Sequence, residues 1–201
     1  MKSDAVAFGV AGILFGLIAG WVIGSQQGAG RPAAPAPAPA AAAASQDSRP
    51  AVLDQAQVNA LTSVAERDPS NPKPRVELAN LYFDAQRFDD AIKWYEAAYK
   101  LNPKDVNVST DLGIAYYYTE QTDKALAQFT QSLAIDPKHV KTLLNMGIVK
   151  AFGKHDLDGA TDAWQQVVKL APDSPEGQQA KRMLDGLQSG HSNVNGQKPG
   201  A

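Results

Sequence analysis

The chain has no cysteine among its 201 residues, only three histidines, and no run of basic residues. Each scarcity removes a class of chemistry. Without a thiol there is no cysteine nucleophile, no disulfide frame, no zinc–thiolate site and no lipoprotein-type anchor. The histidines, His139, His155 and His191, stand singly in turns or in the tail. None has a partner at metal-ligand spacing, and each is expected to be solvated. No glycine-rich loop precedes a helix as a phosphate cradle requires. Asp156-Leu157-Asp158-Gly159 lacks the alternating ligands and distal glutamate of a calcium loop, and reads as helix capping. Residues 52–188 hold 15 Lys and Arg against 19 Asp and Glu. That mild acidity, with no interleaving of aromatic and basic residues, argues against a nucleic-acid partner. No catalytic group, cofactor or metal is expected.

What the chain does have is a period. Pro69, Pro103, Pro137 and Pro172 follow one another at intervals of 34, 34 and 35 residues. In the first unit Leu78 and Ala79 are followed by Tyr82, Ala91, Tyr95, Ala98 and Leu101. In the second, Leu112 and Gly113 are followed at the same offsets by Tyr116, Ala125, Phe129, Ser132 and Ile135. In the third, Met146 and Gly147 lead to Ala160, Trp164, Val167 and Leu170, one residue late, which places an extra residue in the turn around 153–159. Small residues stand where two helix axes must approach closely, and large apolar ones recur at helical spacing. Each proline lacks an N–H and disfavours helix in the residue before it, so it closes a unit. One helix pair cannot bury both its apolar stripes alone, whereas stacked pairs can.

This grammar resembles the tetratricopeptide repeat over residues 72–172. It departs from the motif in lacking the early tryptophan, where Arg75, Ser109 and Leu143 stand, and in placing Lys150 where Tyr82 and Tyr116 stand in the other units. The resemblance implies an all-α fold of three antiparallel helix pairs wound into a right-handed superhelix with a concave groove. Repeats are placed at 72–105, 106–139 and 140–174. A capping helix is expected within 51–71, with Leu61 and Val64 in the register of Tyr95 and Ala98. A second, 175–188, opens on Ser174-Pro175-Glu176 and puts Ala180, Met183, Leu184 and Leu187 on one face. The tail, 189–201, is expected to be disordered.

Residues 5–23 carry no charge, and 19 residues at about 1.5 Å each cross most of a hydrocarbon core of about 30 Å. Segment 1–25 therefore reads as a transmembrane anchor. A cleaved signal peptide, ending at Gly28-Ala29-Gly30, is the competing reading. Gly12, Gly16, Gly20 and Gly24 line one side of that helix and offer a face for homo-oligomerisation. Residues 26–50, rich in proline and alanine, form a semi-extended linker. Lys2 and the α-amino group against Arg31 favour a cytoplasmic N-terminus, which puts the repeats outside the inner membrane.

In similar repeats the first helix of each pair lines the groove. The corresponding residues here are Lys73, Val76, Asn80, Phe83 and Asp84 in the first unit. They are Asn107, Thr110, Ile114, Tyr117 and Tyr118 in the second, and Lys141, Leu144, Ile148, Ala151 and Phe152 in the third. Amides that bond a peptide backbone alternate with aromatic anchors, which fits a protein or peptide ligand. A receptor for acidic chaperone tails needs cations and amides where this chain has Val76, Asn80, Ile114, Lys141 and Asn145, and only Asn80 and Lys141 match. The whole is similar to membrane-anchored repeat subunits of cytochrome c maturation, which hold apocytochrome, and to envelope-assembly adaptors. A self-assembling lattice protein is the alternative of a different class.

Overall fold

The computed structural model describes residues 51–196, with side chains to residue 188. The anchor 5–23, its glycine face and the linker 26–50 lie outside the described residues. Among the described residues no helix is long and apolar enough to cross a membrane.

Eight α-helices and no strand occupy the described residues. Helix α1 (Gln55–Arg67) precedes three pairs: α2 (Lys73–Asp84) with α3 (Phe88–Leu101), α4 (Val106–Tyr118) with α5 (Thr122–Ile135), and α6 (Val140–Ile148) with α7 (Leu157–Leu170). Helix α8 (Pro175–Gly196) closes the array. Four helix starts are fixed by side chains that satisfy orphan N–H groups. Asp54 accepts from the N–H of Ala56 and Gln57, Asp105 from those of Asn107 and Val108, and Ser174 from that of Gly177. Asp156 accepts from Gly159 N–H at 2.9 Å, so the Asp156–Gly159 stretch is a cap as its sequence indicates. Each repeat proline stands two residues beyond a helix end.

The core is laid down by one recurring contact. Phe129 lies so close over Gly113 that a Cβ there would sit 2.5 Å from its ring, and Trp164 covers Gly147 in the same way while donating its indole N–H to the Leu144 carbonyl at 3.1 Å. Such sites admit no side chain without moving an aromatic in a close-packed interior. Each pair then packs on the next, giving one buried cluster centred on the first two pairs and another on the third pair with α8.

Three expectations need correcting. The extra residue of the third unit lies in the helix and not in the turn. The turns Ala85-Gln86-Arg87, Thr119-Glu120-Gln121 and Lys154-His155-Asp156 are equal in length, with Gln86, Glu120 and His155 all at φ near +60°. Arg87 N–H donates to Tyr82 O and Gln121 N–H to Tyr116 O, whereas Asp156 N–H reaches Lys150 O one residue further back. The surplus is taken up by a single π-helical turn, Val149–Gly153, which keeps the left-handed turn intact.

In α1 the buried residues are Val58 and Ala65, while Val64 is exposed. Helix α3 packs on both α2 and α4, which buries Ala98, whereas α1 packs on α2. Finally, the helix expected to stop at 188 continues to Gly196, so the expected disorder of 189–201 does not hold for its first eight residues. No proline interrupts the ladder before Pro199.

Candidate functional site

The three first helices present one face in common, and neighbouring members touch there. Lys141 of α6 forms an ion pair with Asp111 of α4 at 2.5 Å, and Phe83 of α2 meets Tyr118 of α4 edge to face, ring centroids 5.6 Å apart. On this face Lys73, Asn80, Asn107, Tyr118 and Phe152 are exposed, and Val76, Phe83, Ile114, Tyr117, Lys141 and Ile148 are partly buried. Tyr118 and Phe152 are each 50 % exposed, unusually open for large rings.

Three expected groove residues, Thr110, Leu144 and Ala151, are buried and not available to a ligand. Thr110 is fully buried, its Oγ1 donating to Val106 O and lying 2.6 Å from Thr142 Oγ1 where α6 crosses α4. Leu144 is buried in the core of the third pair. Others are present but engaged. Asn80 Oδ1 accepts from the Tyr95 hydroxyl at 2.6 Å, leaving only its N–H groups to face outward. Tyr117 has its ring edge against Gly153 of the π turn, where an added Cβ would also strike Thr122, so it is largely a packing residue. Gln128 of α5 is buried. It donates to Ser109 Oγ at 2.8 Å, and Ser132 donates to the same oxygen at 2.8 Å. His139 is not a free loop histidine, since its Nδ1 lies 2.7 Å from Thr142 Oγ1.

The missing early tryptophan is replaced by three different devices. Arg75 donates to the Ala65 and Asn71 carbonyls, tying α2 to the end of α1; Ser109 anchors the buried polar triad; Leu143 is plain core. Sequence reasoning passed over Phe88, which opens α3 and stacks on Tyr118 at 4.6 Å and 14°. Its signal was an aromatic at a position filled by Thr122 and Leu157 in the other units. It also passed over Asp111, four residues after Asn107 and so on the same helical face.

The electrostatics of the face are acidic. Burial pushes the Asp111 carboxyl above the usual carboxylate range, opposed by the hydrogen bond and charge of Lys141. Burial raises the Tyr95 phenol, and the carboxylates of Asp111 and Asp84 raise it further. Among the described residues no group of three or more His, Asp or Glu is placed to hold a metal, and no polar side-chain atom is buried without a partner. The arrangement offers a surface of rings, amides and carboxylates, suited to holding a polypeptide.

Comparison with known proteins agrees with this architecture. The tetratricopeptide repeat family matches residues 74–138. Solved structures of similar fold include MamA, with a TM-score of 0.55 and 16% identity, covering 69% of this chain and 89% of that one. The tetratricopeptide domain of Arabidopsis OM64 gives 0.53 and 20%, covering 58% and 95%. The first repeat domain of Spaghetti (RPAP3), bound to the HSP90 peptide SRMEEVD, gives 0.53 and 19%, covering 70% and 97%. At these identities the likeness is one of fold. No curated protein matches the chain. Residues 74–138 thus match the tetratricopeptide repeat, and the described residues share the fold of these structures.

Proposed function

We propose that this chain is a membrane-anchored, non-enzymatic adaptor that holds a polypeptide partner against its first-helix face, outside the inner membrane, in the assembly of envelope proteins. The observation that carries the reading is the exposure of Tyr118 and Phe152 on successive first helices whose opposite faces are buried in the repeat core. Side chains of that size left in water on a rigid scaffold are the usual anchors of a binding surface. The uncharged stretch 5–23 supplies the anchor, the Pro/Ala-rich linker the spacing, and the charge balance around the anchor the orientation.

Affinity capture from detergent-solubilised membranes tests it. The full chain should retain a partner that the Tyr118→Ala/Phe152→Ala chain loses. An apocytochrome in the eluate would specify cytochrome c maturation. Capture of further copies of the chain alone would replace the adaptor with a lattice, and capture unaffected by the double substitution would defeat the reading.

A further inference from the structure

The aromatic end of the first-helix face also carries exposed carboxylates. Phe83, Phe88 and Tyr118 form one interlocked group, Phe83–Phe88 at 5.1 Å and Phe88–Tyr118 at 4.6 Å. Phe152 extends it on the third unit, beside the Gly153 that packs against Tyr117. The faces of aromatic rings attract cations. Helices α2 and α4 end here and α3 and α5 begin here, so the helix dipoles oppose one another and add no charge preference.

Asp84, the last residue of α2, is exposed and makes no side-chain ion pair; Glu77, two turns back on the same face, is likewise exposed and unpaired. The cations next to the rings, Arg87 and Lys154, are held by Asp90 and Asp123, and the others lie elsewhere. Lys73 and Lys141 stand at the opposite helix ends, about ten residues or roughly 15 Å away, beyond a physiological screening length of about 8 Å. Lys141 is further neutralised by Asp111. Rings and carboxylates thus favour the same ligand charge.

Resting on the adaptor reading above, we infer that the platform of Phe83, Phe88, Tyr118 and Phe152, with Asp84 beside it, takes a partner segment in which apolar side chains alternate with Arg or Lys. An acidic segment meets the carboxylates of Asp84 and Glu77, while the neighbouring Arg87 and Lys154 are already engaged by Asp90 and Asp123. An arginine laid across Tyr118 or Phe152 gains a ring face, with a carboxylate alongside.

The test uses the full chain in detergent micelles and two fluorescein-labelled, end-blocked undecapeptides with the same Leu and Ala positions, one carrying three Arg and the other three Glu. By anisotropy the Arg peptide should bind at least about tenfold more tightly than the Glu peptide and weaken as salt rises from about 0.05 to about 0.5 M. Phe152→Ala should weaken it about tenfold and Asp84→Asn several-fold. Both residues are exposed, so circular dichroism should confirm that the fold is kept. A Glu peptide that binds as tightly as the Arg peptide, and is released by Phe152→Ala, overturns the charge inference while leaving the face as the binding site. Failure of both peptides to bind, or binding indifferent to Phe152→Ala, overturns the inference and counts against the adaptor reading as well.

Discussion

The hydroxyl of Tyr95, on the second helix of the first pair, donates to Asn80 Oδ1 on the first helix at 2.6 Å, so a core aromatic and a surface amide are one unit. The ring is 3% exposed while the amide faces solvent. Tyr95→Phe should therefore cost about 1 kcal/mol or less, since water can serve the amide once the phenol is gone. Urea denaturation of both chains measures it. A loss above about 3 kcal/mol would mean that the bond is shielded from water far more than the exposure of Asn80 implies.

The glycine–aromatic contacts should be much less tolerant. Gly113→Ala puts a methyl 2.5 Å from the Phe129 ring, and overpacking of this kind costs about 1–3 kcal/mol. Gly186→Ala, with nothing within 4 Å of the added carbon, should be neutral or mildly stabilising by comparison. Equal urea midpoints for the two variants would remove the argument that close helix approach fixes glycine in the repeat.

The buried triad of Ser109, Gln128 and Ser132 should show coupling. Ser109→Ala strands the Gln128 amide, costing about 2 kcal/mol, while the Ser132 hydroxyl keeps the Gln128 carbonyl; Gln128→Leu instead removes a polar group together with its need for a partner. The double variant should be less destabilised than the sum of the single ones. Strict additivity would show that the three side chains do not act as a network.

Asp111 gives a signed pH dependence. Its carboxyl is held above the usual range by burial; Lys141 and His139 oppose that shift, and Asp105 adds to it. An acid with a raised folded-state pKa stabilises the fold fully below its unfolded value, about 3.9, and that stability is lost as pH climbs through the folded value. Asp111→Asn should thus gain on wild type as pH rises above about 3.9, and in Lys141→Met the loss should extend to higher pH. Parallel stability–pH curves for wild type and Asp111→Asn would contradict the assignment.

Much of this fold was legible because its requirements are local. Pro69, Pro103, Pro137 and Pro172 mark the unit ends by a missing N–H, and Gly113 and Gly147 mark contacts that admit no side chain. The surplus residue of the third unit was visible as a count. Its place was not, because the choice between a longer turn and a π turn depends on the bond from Asp156 N–H to Lys150 O. Helical spacing correctly put Thr110 and Leu144 on the faces of their helices. It could not show that α6 crosses close enough to cover Thr110, or that the third pair closes over Leu144. The aromatic platform was only half legible, because Phe88 reaches it from the far side of a turn.

The central claim, that a polypeptide partner lies on the first-helix face, is tested most directly by photo-crosslinking in native membranes. A photoreactive residue at Asn107 or Tyr118, both exposed on that face, is compared with one at Lys93 or Thr130, exposed on second helices. Adducts with a partner polypeptide should form from Asn107 and Tyr118 and be absent from Lys93 and Thr130. Adducts from Lys93 and Thr130 alone would contradict the account and place the interaction on the opposite surface of the array.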